Sequence, residues 1–392
     1  MKNFQFIFNG NISFGTGKRF ELDDFLQIEN WKNACIVIDH ALIKLPIIEE
    51  MLGNINLNNM VLVKCDISEP TYEKLEKKRT EIINQKVDVF IGIGGGSALD
   101  MAKGLAVLHT NHGTAISYKG FDKFKEPIPP VIAIPTTAGT GSEITPNASF
   151  IDTIEKRKMG INGEAIRPKY AILDPELTLS CPKEPTVSAG VDSLVHATEA
   201  FMAKKSNPMA KMFAREGFKL VFENLPLLVD KLDNIELREK VMYGAFLSAI
   251  ALMNSGTGPA AAMSYPLGVH YGVPHGIGGG IFLPYVIEHN INQGCFDYVD
   301  LYFSEKSSGT KEDMAMLFIK NIWNVWGNLG VPKEISSFGI SKSNIDSFIK
   351  DTMDLKPALY QNPVPFYEME IEATLEKLLN DQNGKRLSQI CL

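Results

Sequence analysis

Cysteine is scarce in this sequence: Cys35, Cys65, Cys181, Cys295 and Cys391 are an odd five in 392 residues, and none forms a CxxC pair. That excludes a disulfide framework and a zinc ribbon, and it points to a reducing compartment. No apolar run approaches the roughly 18 residues that a membrane-spanning helix needs. The opening MKNFQFIFNG is too short and too polar to read as a secretory leader. There is no excess of positive charge: the formal net charge is −7, so nucleic acid is not an expected partner. There is also no internal repeat and no low-complexity tract. What is present, 45% hydrophobic and 22% charged residues, suits a cytoplasmic globular protein long enough for two domains.

Short β-branched apolar runs bounded by turn residues mark the first half as strands: ACIVID (34–39), VLVKC (61–65), VDVFIGI (87–93), VIAIP (131–135) and YAILD (170–174). MGI (159–161) reads as part of a smaller β excursion. Helical patterns lie between them, among them TYEKLEKKRTEIINQ (71–85). Alternation of strand and helix implies a parallel sheet covered on both faces. Past the SCPKEP punctuation at 180–185 the pattern changes to long helical periods over 185–203, 209–229 and 237–256, with more helix after 309. The expected organisation is an α/β domain over residues 1–184 and an all-α domain over 185–392.

FIGIGGGSALDMAK (90–103) places Gly94, Gly95, Gly96 and Ser97 between a strand and a helix. Glycines admit a ligand close to the backbone, and a helix start offers unpaired N–H groups, which suits a pyrophosphate. The run is neither GxGxxG nor a Walker loop, so a tight turn stays open as the alternative. IPTTAGTGSEITPN (134–147) follows another strand with hydroxyls from Thr136, Thr137, Thr140 and Ser142. Two such loops fit a ligand laid across the carboxyl edge of a sheet. Asp39 ends the first clear strand, where a carboxylate either grips a ribose diol or caps a turn.

AGVDSLVHATEAF (189–201) sets Asp192 and His196 four apart, on one helix face. They form either half of a metal site or an ordinary i,i+4 pair, with Glu199 three residues further on as a supporting group.

GGGSALDMAK, PTTAGTGSE, DPEL (174–177), AGVDSLVHATEAF and PHG (274–276) follow one another in the order seen in the iron-containing alcohol dehydrogenases. The sequence resembles that family over roughly residues 5–290. The resemblance implies an N-terminal dinucleotide-binding α/β domain with a parallel sheet and an all-α metal and substrate domain, the architecture shared with dehydroquinate synthase. It implies NAD(P)-dependent hydride transfer between nicotinamide and a small alcohol or aldehyde, including sugar-acid or phosphonate-linked aldehydes, in a homodimer. The cofactor residues so implied are Asp39, Gly95, Gly96, Ser97, Asp100, Thr136, Thr137, Asn147 and Lys158, with Asp39 favouring NAD(H) over NADP(H). Asn147 matches a position facing the substrate pocket, and Lys158 a basic position near the ribose or the substrate. A divalent metal, Fe2+ or Zn2+, is implied on Asp192, His196 and His275.

The chain departs from the family at one place. The family's H-x3-H-x9-H reads here as Ala261-x3-Tyr265-x9-His275, so a ligand and an accessory histidine are both replaced. His270 lies nine residues past Ala261, and on a continuous helix that is about 900° of rotation, or the opposite face. Three protein ligands with an open position still make a catalytic metal site. The other readings are a metal-free reductase of the same fold, a dehydroquinate synthase-like lyase and a non-catalytic nucleotide-binding protein. In the reductase readings, Tyr265 is the expected proton donor or substrate contact.

Overall fold

The computed structural model of the chain describes residues 3–66, 69–303 and 309–380. Two compact units emerge. Among the described residues, the α/β unit comprises those within Phe8–Pro182 together with Leu232–Met242, and the helical unit comprises those up to Ile7, Lys183–Lys231 and those from Tyr243 on.

The α/β unit is built on β1 (Asn11–Phe14), β2 (Asn33–Asp39), β3 (Asn59–Cys65), β4 (Val89–Gly94), β6 (Val131–Pro135) and β11 (Tyr170–Leu173). They form one sheet in the order β1-β11-β6-β4-β2-β3, and every neighbouring pair is parallel. Short strands β5 (Gly120–Phe121), β7 (Asn147–Ala148), β8 (Ile151–Asp152), β9 (Arg157–Lys158) and β10 (Ile161–Asn162) make two side ribbons, the β excursion expected around 159–161. β1 has no counterpart among the expected strands, because NISF is brief and only one of its four residues is strongly apolar and β-branched.

The sheet is buried on both faces, which explains the unbroken apolar runs. Cys35 and Val37 of β2 join one core with Phe90, while Ala34, Ile36 and Ile38 join the other with Val89, Ile91 and Ile93. Helices α3 (Tyr72–Arg79) and α4 (Gly96–Thr110) cover the first face through Leu75, Met101 and Leu105. Helices α1 (Glu21–Ile28) and α2 (Pro46–Gly53) cover the second through Leu22, Leu26, Ile48 and Met51. The helix expected over 71–85 stops at Arg79. Beyond it Ile82 N–H bonds Arg79 O in a turn, and the TEII run, with Ile83 exposed, favours helix too little to extend it.

The four described cysteines are free thiols, and burial pushes those of Cys35 and Cys65 up to about 12, so both are unreactive. The helical unit holds α5 (Lys183–Met202), α6 (Pro208–Leu228), the part of α7 (Ile235–Met253) from Tyr243 on, α8 (Pro259–Tyr271), α9 (His275–Asn292), α10 (Val299–Tyr302), α11 (Lys311–Leu329), α12 (Ile345–Met353), α13 (Lys356–Leu359) and α14 (Glu368–Asn380). No described helix is long and apolar enough to cross a membrane.

Candidate functional site

Strand order makes a crevice in the α/β unit. From β2 the chain moves outward to β3, and from β4 it moves the other way to β6. Helices α2 and α4 therefore cover opposite faces, leaving a gap at the carboxyl ends of β2 and β4, where open α/β sheets take ligands. Asp39 closes β2 there, and Gly94–Ser97 follow β4. Gly94 has φ +147°, and a Cβ on it would stand 2.8 Å from Ala98 Cβ and 3.3 Å from Asp39 Cβ. Only glycine makes that turn beside Asp39. The Asp39 carboxylate accepts from Ala41 N–H at 3.0 Å, capping the turn that follows β2.

The loop after β6 closes onto the same place. Thr136 N–H donates to Gly94 O at 2.9 Å, and a Cβ on Gly96 would meet Thr140 Cγ2 at 2.9 Å. Gly95 sits against Thr137. So Asp39, Gly95, Gly96, Ser97, Thr136 and Thr137 gather at one sheet edge, at the start of the 15-residue α4 whose N–H groups are available to an anion. Asp100, Asn147 and Lys158 have protein partners. Asp100 accepts from Ser142 Oγ at 2.5 Å and Ser149 N–H at 2.9 Å. Asn147 gives its carbonyl to Lys103 Nζ at 2.7 Å, and Lys158 pairs with Glu69 at 2.6 Å.

In the helical unit, Asp192, His196 and His275 bring their donor atoms within 4.8 Å of one another. Asp192 and His196 share a face of α5, with His196 Nε2 3.4 Å from Asp192 Oδ1. His275 is the first residue of α9, and its Nε2 lies 3.9 Å from the same oxygen. The PHG motif has a steric reason: a Cβ on Gly276 would collide with Ser188 O and come within 2.8 Å of Asp192 Cβ, so glycine lets α9 begin against α5.

Ser264 determines which nitrogen of His275 carries its proton. Its hydroxyl donates to Ala261 O at 2.6 Å and lies 2.7 Å from His275 Nδ1. A hydroxyl has one proton, already given to the carbonyl, so it accepts from Nδ1–H. The lone pair of His275 is then on Nε2, toward Asp192. Ser264 is fully buried, and a single feature of the sequence marks it: it stands three residues after Ala261, on the same face.

Glu199, one turn beyond His196, has its partners at the start of α8. Its carboxylate accepts from Thr257 Oγ1 at 2.8 Å and from the N–H groups of Gly258, Ala260 and Ala261 at 2.7, 2.7 and 3.3 Å. Burial pushes this carboxyl above its ordinary range, against the pull of those four donors. α8 runs unbroken through Pro266, and His270 leaves the site to bond Asp351 at 2.7 Å, as its 180° offset from Ala261 requires. Tyr265 stands one turn after Ala261, its ring edge-on to His275 at 4.9 Å.

The donor set fits a divalent metal. One carboxylate and two imidazoles are the ligand types that Fe2+ and Zn2+ take. His196 Nδ1, buried beside this donor set, has no hydrogen-bond partner among the described residues, an orphaned polar atom of the kind that a site's ligand would satisfy.

Comparison with known proteins agrees across the chain. Residues 9–175 match the model of the iron-containing alcohol dehydrogenases, and residues 186–379 match that of the Fe-containing alcohol dehydrogenase family C-terminal region. The NAD-dependent methanol dehydrogenase of Bacillus methanolicus is 31% identical over 87% of this chain and 91% of its own. A 1,3-propanediol oxidoreductase structure superposes with a TM-score of 0.89 at 26% identity, covering 96% of this chain and 100% of that one. The sulfoacetaldehyde reductase of Bifidobacterium kashiwanohense, solved with NAD+, gives 0.87 at 25% identity over 97% and 100%. With both of its halves matched and the fold shared, the chain belongs to the iron-containing alcohol dehydrogenase family.

Proposed function

We propose that this oxidoreductase moves a hydride between NAD(H) and a small alcohol or aldehyde, using a metal held by only three side chains. The observation that carries this reading is the convergence of Asp192, His196 and His275. Asp192 contributes the anionic oxygen, and the two imidazoles contribute Nε2. A divalent metal bound there supplies Lewis-acid polarisation of the carbonyl oxygen. Tyr265, edge-on to His275, gives its phenolic proton to that oxygen during reduction and recovers it during oxidation. Gly95, Gly96, Ser97, Thr136 and Thr137 hold the pyrophosphate, and Asp39 holds the adenosine ribose diol, where its charge repels a 2′-phosphate. Asp100, Asn147 and Lys158 serve the cofactor by shaping the loop and ribbon beside it.

We assign the protein to the cytoplasm as a homodimer, the oligomeric state to be read by light scattering. The function is tested by mixing the protein with NADH and short aldehydes and following nicotinamide absorbance, with metal content measured by elemental analysis. The expected result is aldehyde-dependent oxidation and bound iron or zinc that is lost in Asp192→Ala. Measurable NADH binding with no oxidation by any aldehyde would leave a nucleotide sensor in its place. Turnover at full rate after the metal is stripped would favour the metal-free reductase, for which Tyr265 is the remaining proton donor on this face of α8.

A further inference from the structure

Lys103 is the most deeply buried cation among the described residues, with no exposed surface, and the hydride chemistry gives it no task. It lies on α4 with Gly96 and Asp100 at i, i+4 and i+7, one stripe of the helix. Gly96 touches Thr140 at the head of the 136–149 loop. Further along the stripe, Lys103 Nζ donates to Ser142 Oγ at 2.8 Å, Thr145 O at 3.0 Å and Asn147 O at 2.7 Å. Asp100 Oδ1 stands 4.0 Å from the ammonium and accepts from Ser142, while Oδ2 accepts from Ser149 N–H. The three N–H bonds of the ammonium meet three acceptors in the loop.

We propose that Lys103 is a positioning residue for the cofactor, which clamps the 136–149 loop to α4 so that the hydroxyl-bearing segment and the glycine turn form one pyrophosphate cradle. This rests on the cofactor reading above for its purpose, but the clamp itself stands on the contacts alone.

The arithmetic of donors makes the clamp sensitive to pH. A neutral amine has two N–H bonds for these three acceptors, and Ser142 already spends its proton on Asp100, so deprotonation leaves one of the three loop acceptors without a donor and facing the amine lone pair. Burial pulls the Lys103 pKa down to about 8, with Asp100 and Glu143 holding it up and Arg167 adding to the fall. The clamp is therefore complete below about pH 8 and loosens above it.

Hydrogen exchange on the cofactor-free protein at pH 7 tests the clamp. In Lys103→Gln the peptide covering 136–149 exchanges about tenfold faster, in line with loss of charged hydrogen bonds, while the β2 and β4 peptides keep their protection. NADH titration by fluorescence tests its purpose. Wild-type Kd is flat below pH 8 and rises above it, whereas Lys103→Gln binds about tenfold more weakly at pH 7 and shows no alkaline rise. Unchanged exchange in Lys103→Gln overturns the clamp. Faster exchange with Kd within twofold of wild type overturns its service to the cofactor. If Lys103→Gln does not fold, Ser142→Ala takes its place in the exchange measurement, and a wild-type Kd flat from pH 7 to 9.5 overturns the proposal alone. A wild type that binds no nicotinamide nucleotide at any pH refutes the cofactor reading and this use of Lys103 together, yet the exchange result still decides the clamp.

Discussion

Ser264→Ala is the most informative single-atom change in the helical unit. It removes the oxygen that accepts from His275 Nδ1–H and leaves the carbonyl of Ala261 inside its helix. Little volume is lost, and Gly278 packs against the Ser264 Cβ, which alanine retains. The remaining damage is the loss of the Ser264 acceptor from Nδ1–H of a half-buried imidazole, which releases the ring to move its proton to Nε2. An unsatisfied buried donor costs about 1–3 kcal/mol, and each 1.4 kcal/mol is about tenfold in affinity. Roughly 10- to 100-fold weaker metal binding is therefore expected, the range typical for partners that orient a metal-bound histidine. Chelator competition with Zn2+ or Fe2+ reads that affinity directly. The visible spectrum of cobalt-loaded protein reports the ligand field at the site, which a general loss of stability would not change. Thermal unfolding of the metal-free variant within a few degrees of wild type confirms that the fold is intact. An affinity change under threefold with an unaltered cobalt spectrum would refute the orientation argument, since Nε2 would then be directed by something else.

Three further outcomes are expected. Tyr265→Phe lowers kcat by 10²–10⁴ if the phenol carries the proton, and a loss under about threefold in steady-state assays removes it from the mechanism. Gly96→Ala introduces a Cβ 2.9 Å from Thr140 Cγ2, pushing the loop off α4, and NADH titration should show at least tenfold weaker binding with the helical unit's metal affinity untouched. Stability carries the signature of Lys103 with a definite sign: the native pKa of about 8 lies below the unfolded value of 10.5, so the native state binds fewer protons between them. Relative to Lys103→Met, wild type should gain stability as pH rises through that window, checked by urea unfolding at pH 7.5 and 9.5; no gain refutes the direction of the shift.

Much of the architecture is legible in the sequence because parallel strands buried on both faces have no choice but to be apolar throughout, as ACIVID and VIAIP are. The short β1 escapes notice for the converse reason: NISF is brief and mixed, and it is a strand only because it pairs with β11. Asp192 and His196 are legible because four residues make one helical turn. His275 is reached only through the family's spacing, since nothing local says that α9 begins against α5. The clamp on 136–149 and the proton choice at His275 are illegible for a shared reason. Each depends on which of several hydroxyls and amines a packed turn brings together, and Ser264 and Lys103 look in sequence like any serine or lysine on a helix.

Ala261, which stands where the family resemblance leads one to expect a histidine, then takes on a physical context. α5 carries Asp192, His196 and Glu199 at i, i+4 and i+7, so a single helix face supplies two of the three proposed metal donors and the carboxylate that grips the first N–H groups of α8. One of those N–H groups belongs to Ala261 itself, and the carbonyl of Ala261 takes the Ser264 proton that fixes His275. Position 261 offers no side-chain ligand, but its backbone is wired to both sides of the triad. A histidine placed there would add a donor while keeping the N–H and C=O that make those two contacts. Ala261→His should therefore tighten metal binding in chelator competition, and an unchanged affinity would mean that this face of α8 does not point at the metal at all.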